Sequence, residues 1–333
     1  MASETNILKN QVDLRKSSSH VYTVSYHADW ATGNVLHGGS IAAAIHHAAT
    51  THLATEMAAA NQPDLLTLHV EFFRSCEPRD STITITELKV GVLTSTLQLQ
   101  LSQGGKTKVL ALATSINMDS PGPTVEKTWR PYPSPPPVPD FNAVETHKPD
   151  AHWLPVTLTD EIFPVLGRQV SLIPRGGFPI DGICDCWYSF QNNERMDAPY
   201  LTMMTDCIPP MSDTLLRNGS FYDVHRMSRD IEAWAKKHPG VPAKLTHTLE
   251  AAMRVPILNH TVTLNIEFKR RLPEEGLRWI FSRAESRMLQ GGRMDLDVTI
   301  CDQNLNLLCI ARQSILALDA KRKLMNKKAK ASL

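Results

Sequence analysis

Thr67-Leu68-His69-Val70-Glu71-Phe72-Phe73-Arg74 and Thr263-Leu264-Asn265-Ile266-Glu267-Phe268-Lys269-Arg270 are one strand written twice: five of their eight positions are identical, and each copy is soon followed by a proline, Pro78 or Pro273. An internal repeat is the first feature to settle in a 333-residue chain, because it fixes how many units the fold contains. The segments downstream of the two copies also correspond. Residues 81–90, 94–103 and 107–117 read as three strands after the first copy, and residues 278–289, 293–302 and 307–318 after the second. Alternation is plain in Thr82-Ile83-Thr84-Ile85-Thr86 and in Leu97-Gln98-Leu99-Gln100-Leu101, the pattern of a half-buried antiparallel sheet. Gly104-Gly105 and Asn304 supply turn chemistry, and Gly104-Gly105-Lys106 and Gly291-Gly292-Arg293 read as hairpin turns, since strands surround them and the full phosphate-loop pattern is missing.

A helix is expected before each sheet. Gly38-Gly39 opens a proline-free, alanine-rich segment reaching about Ala60, whose small side chains allow close approach to a curved sheet. In the second half, Tyr200 to Cys207 is apolar and runs into Pro209-Pro210, which stops or kinks a helix. Residues 119–140 are dense in proline, a composition that predicts an extended, semi-rigid connector, placed at about 119–150. The expected organisation is therefore α+β: a first unit over residues 1–118, a linker over 119–150, a second unit over 151–320 with a helical insert at about 220–256, and a basic tail over 321–333. Two such units in one chain can join their sheets edge to edge and so remove two exposed edges.

Bulk composition narrows the function. The formal charge of +1 provides no broad field for nucleic acid. No run of eighteen apolar residues occurs, so no membrane span is expected, and Met1 to Lys16 lacks the apolar block of a signal peptide. The expected compartment is the cytoplasm; the terminal Ala331-Ser332-Leu333 differs from the S-K-L peroxisomal address. Six cysteines without C-x-x-C spacing read as reduced and structural. His46, His47 and His52 lack the i, i+4 histidine pair with glutamate that a helical zinc site uses, so no metal is expected, and no G-x-S-x-G elbow occurs.

The ordered pieces His37-Gly38-Gly39, Leu68-His69-Val70-Glu71-Phe72, Thr263 to Phe268 and Leu316-Ala317-Leu318 resemble the thioesterase-like superfamily, and more narrowly its double-hotdog acyl-CoA thioesterase II group. The resemblance spans both halves and implies two hotdog units, each a sheet wrapped around a central helix, the first with a degenerate site. It implies hydrolysis of an acyl thioester without cofactor, metal or covalent intermediate, by an Asp, a Thr and a Gln of the second unit. Matched residue by residue, these fall on Asp206 in Thr202-Met203-Met204-Thr205-Asp206, on Thr261 seven residues before Phe268, and on Gln313 in Ala311-Arg312-Gln313-Ser314. The group often carries a histidine beside its Thr-bearing strand, where this chain has Leu264 and Asn265.

The chemistry suits these residue types. A carboxylate can take a proton from water, while a hydroxyl and an amide each donate and accept and so orient it. Taken singly, Asp206 reads as a helix cap, Thr261 as an ordinary strand residue and Gln313 as a buried amide; the three together point to a site. Backbone amides at Gly38 and Gly39 are candidates to hold an oxyanion, and His37 either polarises a ligand or merely starts the helix. Lys269, Arg270 and Arg271 either meet substrate phosphates or are solvated. The expected partner is a small acyl thioester, on CoA or a carrier. Rival readings are a non-hydrolytic cyclase or dehydratase of secondary metabolism on the same scaffold, or an acyl-binding module. Further pairing into a homo-oligomer is left open.

Overall fold

The structure, a computed structural model, describes residues 12–125, 129–191 and 194–320. Residues 1–11 and the basic tail expected over 321–333 lie outside these. The first half is built from β1 (Val12–Ser18), β2 (Val21–Tyr26), the helix α1 (Gly38–Thr55), β3 (Asp64–Phe72), β4 (Ser81–Lys89), β5 (Ser95–Gln103) and β6 (Lys106–Ile116). A short helix, α2 (Phe141–Glu145), leads into the second half. There β7 (Trp153–Asp160), β8 (Gln169–Pro174) and β9 (Ile183–Phe190) precede the helices α3 (Ala198–Met204), α4 (Met211–Leu216) and α5 (Val224–Lys237). Then come β10 (Ala243–His247), α6 (Leu249–Met253), β11 (Ile257–Phe268), β12 (Trp279–Glu285), β13 (Arg293–Cys301) and β14 (Leu307–Asp319).

The described residues form one continuous fifteen-stranded sheet in the order β1-β2-β4-β5-β6-β3-β11-β14-β13-β12-β9-β8-β7-β10, with the short Leu289–Gln290 strand pairing off β13. The two copies of the repeated strand, β3 and β11, pair antiparallel at its middle, with Asn265 opposite His69. These two residues occupy equivalent repeat positions, so a pseudo-twofold axis runs between them. Each copy also carries the same bulge, at Leu65/Thr67 against β6 and at Thr261/Thr263 against β14. The hairpin turns anticipated at Gly104-Gly105 and Gly291-Gly292 are present, with all four residues at positive φ as the twist of a tight hairpin requires.

Helix α1 is buried on nearly every side: Gly39 through Ile45, then Ala48, Ala49 and Leu53 are all inaccessible. That explains its alanine content, because an element enclosed by sheet and helix is apolar all round rather than striped. It packs on α3, and at their crossing a Cβ on Gly39 would lie 2.6 Å from the Met203 carbonyl oxygen and 2.9 Å from Asp206 Cβ. Only glycine permits that approach.

Two features differ from the sequence-based expectation. The end of the proline-rich stretch is packed rather than a bare connector. Asp140 caps α2 through the Ala143 amide (3.0 Å), and Phe141 and Val144 cover Trp187, Trp279 and Phe281 on the outer face of the second sheet. The Trp153 indole donates to the Pro137 carbonyl (2.6 Å), so the prolines that rule out regular structure still bring apolar anchors into register. The insert is not purely helical either: between α5 and α6, β10 adds to β7 as a parallel edge strand. Its short run, Ala243-Lys244-Leu245-Thr246-His247, has too few apolar residues to announce a strand.

Candidate active site

Asp206, Thr261 and Gln313 converge. Helix α3 begins at the Asp197 cap, which accepts from the Tyr200 amide (2.9 Å), with Pro199 in its first turn. It ends at Met204, short of the aspartate that the anticipated helix would include, so Asp206 sits in the turn just beyond the helix. The chain turns there because Thr205 folds back onto the Thr202 carbonyl through its hydroxyl (2.8 Å), ahead of Pro209-Pro210. The Thr205 carbonyl left over by the helix end accepts from the Gln313 amide nitrogen (2.9 Å). Gln313 is 2% exposed on the inward face of β14, between Ala311 and Ile315, so this bond also fixes which way its amide points. Its oxygen accepts from the Thr261 hydroxyl at 3.2 Å. Thr261 lies at the β11 bulge, the distortion that re-aims its side chain toward the turn.

The carboxylate of Asp206 is held from one side. Oδ2 accepts from the Gly39 amide at 2.7 Å, in the first turn of α1, where the helix dipole favours negative charge. The His37 ring lies 3.6 Å from the same oxygen. Among the described residues, Oδ1 has only the Thr261 hydroxyl at 3.4 Å, longer than an ordinary O–H···O bond. One hydroxyl proton cannot serve both Asp206 and Gln313, so Oδ1 retains acceptor capacity facing Thr261 and Gln313. A water there would find an acceptor, a hydroxyl and an amide oxygen within reach.

His37 caps α1, its Nδ1 accepting from the Gly39 amide (3.2 Å), and stacks on Phe163 at 4.3 Å. Burial holds its pKa below the ordinary histidine value, against the opposing pull of Asp206, so the ring is neutral at physiological pH. Gly38 and Gly39 are as close to the carboxylate as a chain can come: a Cβ on Gly38 would lie 2.8 Å from Asp206 Oδ2. The Gly39 amide, a candidate oxyanion donor by sequence, is thus engaged by Asp206 itself.

A cavity of about 650 Å³ opens onto these groups. Its walls come from both halves: Leu36, Ile41 and Phe72 from the first, Ile208, Met211, Met294 and Ile315 from the second. The two prolines after Asp206 and the start of α4 form one side, which gives the segment between α3 and α5 a place in the pocket.

The chain matches the models of the acyl-CoA thioesterase N-terminal domain over residues 26–116 and C-terminal domain over residues 135–317. It belongs to the acyl-CoA thioesterase family. Among relatives of this chain is the thioesterase-like protein TwmA of Talaromyces wortmannii, 27% identical over 323 residues, a match covering 91% of this chain and 90% of TwmA. Its fold is shared by a candidate thioesterase II from Thermobifida fusca, with a TM-score of 0.67 at 16% identity, covering 95% of this chain and 98% of that one. The acyl-CoA thioesterase II TesB2 of Mycobacterium marinum superposes with a TM-score of 0.57 at 17% identity, covering 92% and 95%. The double-hotdog architecture implied by the resemblance is therefore the architecture of this family.

Family membership leaves the basic residues to be placed. Lys269, Arg270 and Arg271, considered as phosphate contacts, are absent from the cavity walls. Lys269 pairs with Glu267 (2.5 Å), and Arg271 reaches across to Asp64 (2.6 Å) and to Asp119. Arg270 is exposed. The guanidinium on the wall is instead Arg74, the first-half counterpart of Arg270, whose Nη1 donates to the Thr107 carbonyl (2.9 Å). The reason is the pseudo-twofold: a pocket that takes Asp206, Thr261 and Gln313 from the second half takes its opposite wall from the first. The repeat itself carried that signal, since a residue in one copy implies a mate in the other. Among the described residues, no helix is long and apolar enough to cross a membrane.

Proposed function

We propose that this protein hydrolyses an acyl thioester, on CoA or a carrier, with a water molecule held by Asp206, Thr261 and Gln313. The observation that carries the reading is the half-satisfied carboxylate: Oδ2 fixed by the Gly39 amide at 2.7 Å, Oδ1 turned toward a hydroxyl and an amide oxygen. In the proposed step the water oxygen attacks the thioester carbonyl carbon while Asp206 takes one of its protons. The carbonyl oxygen gains the charge and faces the start of α1, where the Gly38 amide, next to the Gly39 amide taken by Asp206, and the helix dipole stabilise it. Collapse breaks the C–S bond; the thiolate leaves and takes the proton from Asp206, giving a free acid and a free thiol. The apolar walls from Leu36 to Met294 would take the acyl chain, and Arg74 at the wall would meet the acidic part of the thiol carrier.

Release of free thiol from a panel of acyl-CoAs tests this, with wild type compared against Asp206→Asn and Gln313→Ala. Turnover lost in both variants, with their circular dichroism unchanged, supports hydrolysis at this site. No thiol release from any substrate alongside tight acyl-chain binding refutes it, as does conversion of a substrate without C–S cleavage.

A further inference from the structure

We propose that the first half carries a divalent-metal site of the zinc type, formed by His20, His52 and Glu87, at the end of α1 away from the pocket. The three residues come from three elements: the β1–β2 turn, the last turn of α1, and the end of β4. Their ligand atoms all lie within 4.8 Å of one another. Both imidazoles aim Nε2 at the same Glu87 oxygen, His52 from 3.2 Å and His20 from 3.3 Å. A tetrahedral ion with zinc–nitrogen and zinc–oxygen distances near 2.0–2.1 Å has edges of roughly 3.3 Å, so these separations match the nitrogen–oxygen edges of such a polyhedron.

Each ring is also oriented from behind. The His20 Nδ1 meets the Ser19 hydroxyl at 2.8 Å, and the His52 Nδ1 meets the Tyr22 hydroxyl at 3.2 Å. The hydroxyls hold the ring orientations, and when each Nδ1–H donates to its hydroxyl oxygen both Nε2 lone pairs are left for a metal. The backbone is equally prepared: the Ile85 amide donates to the His20 carbonyl (2.8 Å), pinning the turn to β4 two residues before Glu87. Glu87 continues the inward face of Ser81, Ile83 and Ile85, where it reaches the fully buried His52. His52 lies at the helix C-terminus, whose carbonyl dipoles favour a cation. The half-exposed His20 leaves the fourth position to water from bulk solvent. The bonded neighbours Lys16 and Glu56 flank the cluster without supplying a competing cation, because the ammonium is taken up by Glu56. The histidines along α1 have no metal spacing among themselves; the partners of His52 come instead from a hairpin and a strand.

The test uses the full chain, made without a histidine tag, stripped with chelator and titrated with Zn²⁺ by calorimetry and with Co²⁺ by visible absorption. One equivalent is expected to bind, with the intense bands of tetrahedral Co²⁺, and Zn²⁺ should raise the melting temperature. Tyr22→Phe should weaken binding by about 10–100-fold, and Glu87→Gln and His20→Ala by more than that. Both ligand variants lie at solvent-accessible positions and should leave thioester turnover at the wild-type level. Sub-stoichiometric binding by wild type, or binding unchanged in Glu87→Gln and His20→Ala, overturns the proposal.

Discussion

The two halves share a backbone plan and differ in what they place at its key positions. Asp206 stands nine residues beyond the α3 cap Asp197, and the same step from the α1 cap His37 reaches His46. Thr261, at the second bulge, corresponds to Leu65 at the first. Gln313, opposite Leu264, corresponds to Ala113, opposite Leu68. A carboxylate, a hydroxyl and an amide in one half are thus an imidazole, an isobutyl and a methyl in the other. The rings differ as well. Phe72 lines the open pocket, while its mate Phe268 packs edge-on against His46 at 5.1 Å. His46 spends its Nδ1 on Thr202 (2.7 Å), and Leu65 and Ala113 are buried. On the proposed reading, one copy of the plan is kept polar for chemistry and the other is filled for stability.

If that division is real, the largest effect lies at the acid itself. Asp206→Asn should lower thioester turnover by about 100–10,000-fold, the usual worth of a positioned general base, with the melting temperature little changed. A turnover near wild type would place the chemistry elsewhere. The counterpart position is expected to answer in stability instead. Burial pushes the His46 pKa down to about 3 from 6.5. The unfolded chain therefore binds a proton that the folded chain refuses, so this contribution is complete above pH 6.5 and is lost as pH falls from 6.5 toward 3. Denaturation across that window should show a loss on the order of a few kcal/mol in wild type that His46→Gln does not share. Equal pH slopes in the two chains would mean that His46 is already charged in the fold.

More modest effects probe the geometry. Gly38→Ala puts a methyl 2.8 Å from Asp206 Oδ2. The carboxylate must move, and a misplacement of this size should cost about 100-fold in kcat while the chain stays folded. An unchanged kcat would show that Asp206 need not be held there. Least of all, Arg74→Ala should raise KM several-fold for acyl-CoA but not for the same acyl group on a short neutral thiol. Arg270→Ala, its mate outside the pocket, should change neither. Steady-state assays with both thiol classes would read this, and equal effects from the two arginines would erase the assignment of walls by pseudo-symmetry.

Much of the molecule was legible before any coordinates. The doubled strand at Thr67 and Thr263 is carried by local alternation, and so are the three strands after each copy; local pattern is what sequence conveys best. Asp206, Thr261 and Gln313 were legible only as a set, through resemblance, because their meeting depends on a bulge and a helix end that no periodicity encodes. The basic cluster misled for a related reason. Lys269, Arg270 and Arg271 follow the polar half's own strand, yet a pocket between two pseudo-symmetric units draws its far wall from the other unit. The packed α2 escaped because its prolines dominate the composition while Phe141 and Val144, which bind it to the sheet, are single apolar residues. The cluster of His20, His52 and Glu87 is spread over residues 20–87, beyond any motif spacing.

One water shared by three side chains is the heart of the proposed chemistry, and non-additivity is its plainest test. Thiol-release rates would be compared for Asp206→Asn alone and for the chain that also carries Thr261→Val and Gln313→Ala. Groups that act as a unit on one reacting molecule lose nearly everything at the first removal. The triple variant should therefore be scarcely slower than Asp206→Asn. Rates that fall multiplicatively with each added substitution, or an Asp206→Asn chain that keeps wild-type turnover, would rule the shared water out.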